Sequence, residues 1–288
     1  MSFRESLHSK KFLVTIDTIP PKGTDLTGTF RRINPLKGRV DGINVVDMPS
    51  AVMRLSPLAL SHLIKERGFE PILQITCRDR NRLSLQADLL GASVLGIENL
   101  LILGGDKVEL SDDPDVKPVF DLDPAELLSI AKGLENGHDV TGKELRGSPT
   151  YCLGAAVDPG VDPLELEIEK MERKISAGAE FFQTQPVYDI DLFADFMKKV
   201  NYLNTQIITG IFLLKSAEMA HFMNEKVPGV NIPKNIIAEM EMANDPLEKS
   251  IEIAVRTIKS LRGFSKGVHI VTINWEDKIP LILDALGM

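Results

Sequence analysis

The sequence predicts a (β/α)8 barrel folded as a single domain over residues 1–288. Three observations carry that prediction. Eight short apolar runs of strand length alternate with stretches of helical periodicity, and no linker divides them. Most of the runs are apolar throughout rather than alternating, the mark of parallel strands covered on both faces. Polar and titratable residues gather just after the runs, at what would be the carboxyl ends of the strands, where barrels carry their sites. A doubly wound open sheet is the rival architecture, but it rarely needs eight such regular units.

The elements follow in order. Residues 12–16 form the first run, ending on Asp17 before Thr18-Ile19-Pro20-Pro21-Lys22-Gly23. A helix is expected over 25–33, stopped by Pro35. Residues 40–46 are the second strand, followed by Asp47-Met48-Pro49-Ser50. Ser56-Pro57 has the cap-then-proline form of a helix start, running to about residue 67. Residues 71–76 are the third strand. Leu83, Ala87, Leu90 and Val94 then recur at helical spacing and predict an amphipathic helix over 80–95 with those four on its apolar face; Asp79 would cap it and Gly96 end it. Residues 100–103 are the fourth strand, stopped by Gly104-Gly105. The acidic stretch 107–121 leaves that end, and a functional loop and a solvated excursion fit it equally well.

Asp123-Pro124 starts a helix to about residue 134, a polar loop spans 137–147, and 150–156 is the fifth strand. Asp162-Pro163-Leu164-Glu165 has capping-box spacing. Behind it Leu164, Ile168, Met171 and Ile175 form a buried stripe, with Glu167, Glu169, Lys170, Arg173 and Lys174 lying away from it, and Gly178 stops the helix. Residues 181–185, 206–211 and 268–272 are the last three strands. Helices are expected over 189–200, 215–224, 233–242, 245–261 and 280–286, with Val227-Pro228-Gly229 as a break.

Composition narrows the class. The chain is 43% hydrophobic and 26% charged, ordinary for a domain with a large core. Net charge is −8, and no basic cluster with interleaved aromatics occurs, which argues against a nucleic-acid surface. Cys77 and Cys152 are the only cysteines; both sit at strand ends, no Cys/His spacing suggests zinc, and no metal site is expected. A reducing cytoplasm fits. The first residues lack the apolar core of a signal peptide, and no apolar run approaches the roughly 20 residues of a membrane span.

The stretch from Gln74 to Asp106 holds the strongest local signal. Thr76-Cys77-Arg78-Asp79 and Gly104-Gly105-Asp106 fall at one end of a β-α-β unit. Two glycines before a carboxylate let a flat ligand approach the backbone closely, with an acid at its rim. On Gly-Gly-Asp alone, a tight turn with a solvated Asp is the favoured reading. Taken alone, the charges of the sixth helical stretch are ion pairs on a solvated face. Gln183 and Gln185 share one face of a core strand; burying amides without partners costs about 1–3 kcal/mol each, so a ligand, water or each other must meet them. Of the five histidines only His269, inside a strand, stands out. Trp275 is read as a packed rim aromatic sooner than as a substrate contact.

The run Thr76-Cys77-Arg78-Asp79-Arg80-Asn81-Arg82, with Gln86-Ala87-Asp88-Leu89-Leu90-Gly91-Ala92, Leu95-Gly96-Ile97 and Gly105-Asp106, resembles the methylenetetrahydrofolate reductase family. Ile16-Asp17-Thr18-Ile19-Pro20-Pro21 resembles the family's first strand. Lys174 through Asp189 resembles its sixth, and Gly210-Ile211 with Val227-Pro228-Gly229 its seventh unit. The resemblance spans nearly the whole chain and corresponds to the catalytic barrel alone, without the regulatory domain of eukaryotic members.

That resemblance implies a flavin-bearing barrel, with FAD as the cofactor and FMN as the alternative. It would reduce 5,10-methylenetetrahydrofolate to 5-methyltetrahydrofolate by hydride transfer from reduced flavin, using NAD(P)H or a partner electron-transfer subunit as donor. By position it implies Asp17 as the acid for folate N10, Asp106 near the flavin ring and the pterin, and Gln185 on the folate. Thr76, Leu103, Gly104, Gly105, Asp106 and Ala156 would line the flavin. Glu167, Lys170, Arg173 and Lys174 would reach its ribityl and phosphate portion. A homo-oligomer or hetero-complex in the cytoplasm is expected. The chain departs from the family at Asp17, where many members carry Glu, at Gln74, where some carry His, at Leu213, where many carry Pro, and at Lys107-Val108, where Pro-Pro is frequent. The stretch from Gly210 to Ser216 is similar to reductases of anaerobic one-carbon metabolism, some of which work with a partner subunit. Two other readings fit the same barrel: a pterin-dependent methyltransferase-type enzyme, and a subunit of a larger electron-transfer complex.

Overall fold

Apolar runs too short for helices and covered on both faces have one closed solution, a parallel barrel. In the computed structural model, which describes residues 1–227 and 230–288, eight strands close in chain order. They are β1 (Leu13–Thr18), β2 (Gly42–Val45), β3 (Pro71–Thr76), β4 (Asn99–Leu103), β5 (Cys152–Val157), β6 (Phe181–Pro186), β7 (Gln206–Phe212) and β8 (Gly267–Val271). Closure is direct: Thr15 of β1 pairs with Gly42 of β2 on one side and His269 of β8 on the other. The helices are α1 (Phe3–Ser9), α2 (Thr27–Ile33), α3 (Pro57–Glu66), α4 (Arg82–Val94), α5 (Pro124–Glu135), α6 (Leu164–Ser176), α7 (Ile190–Val200), α8 (Ala217–Lys226), α9 (Lys234–Glu241), α10 (Pro246–Leu261) and α11 (Ile279–Leu286). Pro228 and Gly229 of the expected break lie outside the described residues. Among the described residues no helix is long and apolar enough to cross a membrane.

Alternation along each strand divides the core in two. Val14, Ile16, Ile43, Val45, Leu73 and Ile75 face outward into the main cluster shared with the helices. Leu13, Ile72, Leu101, Cys152, Phe181 and Ile208, drawn from six strands, converge inside the barrel with Phe3 and Leu7 of α1. The Phe3 ring meets Phe181 edge-on at 5.3 Å. α1 therefore plugs the amino end of the barrel, and its start is fixed by a Ser2/Glu5 capping box. Above the plug the interior turns polar. Thr15 Oγ1 lies 3.0 Å from His269 Nδ1, and the Asn44 and Gln183 amides exchange bonds of 2.6 and 3.2 Å.

Four expectations about the helices are corrected. The buried row of α4 is Leu85, Leu89 and Ala92; Leu83, Leu90 and Val94 point to solvent. The helix carries two apolar rows at helical spacing, and packing on the barrel buries one of them. Its cap is Asn81, which accepts from Ser84 N–H at 3.0 Å, while Asp79 is turned onto the Arg78 guanidinium at 2.7 Å. At α6 the Asp162/Glu165 capping box does not form: Pro163 occupies the cap position and has no side-chain acceptor. Glu167, expected to lie away from the buried stripe, is itself buried and accepts from Asp158 N–H at 3.3 Å.

Candidate active site at the carboxyl end of the barrel

Asp17 sits near the carboxyl end of β1 and is 5% exposed. Its Oδ1 accepts from Thr272 N–H at 2.9 Å and from Thr272 Oγ1–H at 3.2 Å, just beyond β8. Burial pushes its pKa up to about 7 against the pull of those bonds, and the nearby Glu276 carboxylate adds to the push. Glu276 is itself buried, paired with Arg32 at 3.0 Å and accepting from Thr18 Oγ1–H at 3.1 Å. The result is a buried carboxyl group at the end of β1 that holds its proton near neutrality.

The opposite wall is built from β2, β3 and β4. Thr76 donates its N–H and its hydroxyl to Asp47 Oδ2, at 2.8 and 2.9 Å, and Arg80 pairs with the same oxygen. Asp47 Oδ1 is buried without a partner among the described residues. Arg78, 1% exposed, ties three loops together, donating to Asp79, to Met48 O at 2.9 Å and to Asp106 O at 3.3 Å. Asp106 is exposed at the rim, and its Oδ2 accepts from Ser50 N–H at 2.6 Å. Met48, Ser50 and Ala51 all hold left-handed backbone, as do Ile273 and Asn274 after β8. Strain of this kind collects at functional sites and persists only where the surroundings impose it.

The floor between these walls suits a flat group. A Cβ at Gly104 would meet nothing within 4 Å, so bare backbone faces open space. Gly105, at φ +100°, packs where a Cβ would lie 2.9 Å from Arg78 Cβ and 3.2 Å from Thr76 Cβ. Leu103 and Ala156 are half-buried at the ends of β4 and β5. Lys174 reaches over from α6 and donates to Ala156 O at 2.7 Å; burial holds its pKa below the usual lysine value. Lys170 pairs with Glu167 at 3.2 Å. Arg173 instead turns to Asp123, the cap of α5, at 2.5 Å, on the outer side of this group. A planar ring on Gly104 fits this open floor, and Lys174, with Lys170 one turn earlier on α6, could supply positive charge to an anionic substituent.

Gln183 and Gln185 part company. Gln183 is buried and paired with Asn44, whereas Gln185 stands exposed in a break of register between Gln183 and Pro186. The break presses β6 onto β7, where a Cβ at Gly210 would lie 2.4 Å from Thr184 O. A bulge re-aims a side chain, and here it leaves Gln185 exposed near the carboxyl end of β6. Lys215, after β7, donates to Ile273 O at 2.5 Å and lies 4.9 Å over the Trp275 ring.

Sequence reasoning missed Asn44, Asp47, Thr272 and Glu276. Asp47 carried the same signal as Asp17 and Asp106, an acid directly after a strand. The other three are recognisable only through partners far away in sequence.

Fold and site together define the class: a (β/α)8 barrel with a proton-holding carboxyl group and an open glycine floor at its carboxyl end. The chain belongs to the methylenetetrahydrofolate reductase family, whose profile, described as "Methylenetetrahydrofolate reductase", matches residues 2–287. Methylenetetrahydrofolate reductase 1 of Schizosaccharomyces pombe is 24% identical over 295 residues, covering 97% of this chain and 46% of the relative. The probable methylenetetrahydrofolate reductase (NADPH) of Caenorhabditis elegans is 25% identical over 231 residues, covering 77% of this chain and 33% of the relative. The chain thus spans less than half the length of these relatives. An uncharacterised protein from Clostridium thermocellum that binds two copies of 5-methyl-5,6,7,8-tetrahydrofolic acid superposes with a TM-score of 0.69 at 17% identity, covering 99% of this chain and 100% of that one. A 2,3-dimethylmalate lyase follows the same barrel with a TM-score of 0.53 at 10% identity, covering 98% of this chain and 82% of that one. At such identities the structural likeness shows the fold.

Proposed function

We propose that this chain reduces 5,10-methylenetetrahydrofolate to 5-methyltetrahydrofolate. Bound flavin, FAD in the first instance, would supply the hydride. Family membership gives the reaction class, and the observation that carries the assignment of roles is Asp17: a buried carboxyl group that keeps its proton up to about pH 7. Opening the methylene bridge at folate N10 needs a proton from such a group. Asp17 holds that proton at the mouth, with Thr272 fixing the carboxyl's orientation. Asp106, oriented by Ser50 N–H, places negative charge at the rim, where it opposes the cation formed when the bridge opens. Gln185 offers an amide that can donate and accept at the pterin edge. Gly104, Gly105, Leu103, Thr76 and Ala156 form the surface for the ring, and Glu167, Lys170, Arg173 and Lys174 lie toward its ribityl and phosphate portion. Electrons would come from NAD(P)H, the nematode relative being named for NADPH, or from a partner subunit.

The test separates the two half-reactions by stopped flow. Asp17→Asn should leave reduction of the enzyme nearly unchanged and slow its reoxidation by methylenetetrahydrofolate about 10²–10⁴-fold. Equal slowing of both would make Asp17 structural, and a colourless protein that takes up neither FAD nor FMN would sink the reading and favour a methyltransferase-type barrel.

A further inference from the structure

A buried arginine must find partners for its N–H donors inside the protein. Arg78 is 1% exposed, and its partners come from three loops of the mouth. Nε–H and one Nη2–H go to the two carboxylate oxygens of Asp79, both at 2.7 Å. The other Nη2–H goes to Met48 O at 2.9 Å, and an Nη1–H to Asp106 O at 3.3 Å. Asp79 takes the guanidinium by its planar fork, which aims the remaining donors at one carbonyl after β2 and one at the end of the β4 glycine run.

Those two carbonyls stand at the two ends of a single contact. Asp106 Oδ2 accepts from Ser50 N–H at 2.6 Å, and Ser50 follows Met48 by two residues. One guanidinium thus holds the backbone of the acceptor and the backbone that leads to its donor. The segment between is strained: Met48, Ser50 and Ala51 have φ of 44°, 55° and 57°, which non-glycine residues keep only where their surroundings impose it. Ala51 N–H closes this turn on Met48 O at 3.1 Å, the same carbonyl that Arg78 bonds. The stem of Arg78 also accounts for the second glycine of the Gly104-Gly105-Asp106 run. A Cβ at Gly105 would lie 2.9 Å from Arg78 Cβ and 3.5 Å from its Nη1, so a side chain there would push the guanidinium away from the next residue's carbonyl. Arg78 O in turn accepts from Val119 N–H at 2.7 Å, which fastens the far end of the 107–121 loop to the same residue.

We infer that Arg78 is a positioning residue: through the Met48 and Asp106 carbonyls it sets where the Asp106 carboxylate stands, and it touches no reacting group itself. This rests on the part proposed above for Asp106 in the folate half-reaction.

Arg78→Lys tests it, since it keeps a positive charge beside Asp79 but replaces the planar fork by a single ammonium. The first readout is amide hydrogen exchange in the flavin-free chain. Exchange at Ser50 and Ala51 should quicken at least about tenfold, the fold-change of one lost charge-assisted hydrogen bond. The second is reoxidation of the reduced enzyme by methylenetetrahydrofolate in stopped flow. Arg78→Lys should slow it as Asp106→Asn does, and the double variant should be no slower than Asp106→Asn alone, because both changes remove one contribution. Should Arg78→Lys not fold, Asp79→Asn carries the same two readouts, since it removes the charge that aims the guanidinium from a residue nearer the surface. Unchanged exchange overturns the anchoring itself, and losses that multiply in the double variant overturn action through Asp106. A wild type that takes up no flavin, or an Asp106→Asn chain reoxidised at the wild-type rate, overturns the function proposed for the mouth and Arg78's part in it. The exchange result needs no flavin and keeps the two failures apart.

Discussion

In the role proposed for it, Asp17 would meet two demands that conflict. To donate a proton near neutrality it must be desolvated, and desolvating a carboxyl group costs stability once the pH favours its charged form. Its pKa rises from 3.8 to about 7 on folding, so its contribution is fully present below about pH 4 and is lost as pH climbs through 7. Asp17→Asn should therefore stabilise the fold at pH 8, by at most about 4 kcal/mol, and far less at pH 4. Chemical denaturation at the two pH values measures this, and an equal effect at both would show that burial is not what holds the proton. His269 runs the other way. Burial lowers its pKa from 6.5 to about 4, so its contribution is present above pH 6.5 and is lost as pH falls toward 4. Gln183 follows the same accounting without a charge. Gln183→Leu leaves the Asn44 amide unpartnered inside the barrel and should cost about 1–3 kcal/mol, most of it regained when Asn44→Leu is added. At this scale the sequence marked Asp17 and the paired glutamines by residue type and place. It could not mark Asn44 or Thr272, which gain meaning only when β2 faces β6 and β8 closes on β1.

Elements aim these residues, and they do so through backbone as much as through side chains. The register break in β6 turns Gln185 outward while Gln183 stays in, and Gly210 is what lets β7 approach it. Gly210→Ala puts a methyl group 2.4 Å from Thr184 O, so the bulge must move. The expected outcome is a loss of about 1–3 kcal/mol in stability together with weaker folate binding by calorimetry. Stability lost with folate affinity intact would remove Gln185 from the substrate's contacts. α6 poses the parallel question for its cations. Lys174 is directed at the end of β5, whereas Arg173 is already neutralised by Asp123. Lys174→Met should therefore weaken flavin retention more than Arg173→Ala does, as measured by fluorescence titration of the stripped protein with FAD. The reverse order would mean that Arg173 leaves Asp123 to bind phosphate. Helix positions were legible to within a few residues, because apolar period and proline punctuation are local. The buried row of α4 was not: two rows fit the period, and the choice belongs to the barrel behind the helix.

Across the whole molecule, the two ends of the barrel are kept apart. Alternating strands and helices were enough to read the barrel from sequence, and acids and glycines after the strands placed the candidate site at its carboxyl end, since both follow from repeated local pattern. The amino end was not legible. The first residues show no long apolar run, and nothing local says that Phe3 and Leu7 belong inside a barrel whose strands come later. Yet Phe3 is fully buried against Phe181, and Leu7 joins it in the same cluster. Truncating a fully buried phenylalanine typically costs about 3–5 kcal/mol, so Phe3→Ala should lower the unfolding free energy by that order. The polar layer of Thr15, His269, Asn44 and Gln183 lies between this plug and the mouth, and its bonds are made among the strands themselves. The substitution should then leave half-reaction rates at the mouth unchanged at temperatures where the protein stays folded. Slowed folate reduction in a fully folded Phe3→Ala variant would show that the plug sets the spacing of the strands at the far end, and that stability and chemistry in this barrel are not separable along its axis.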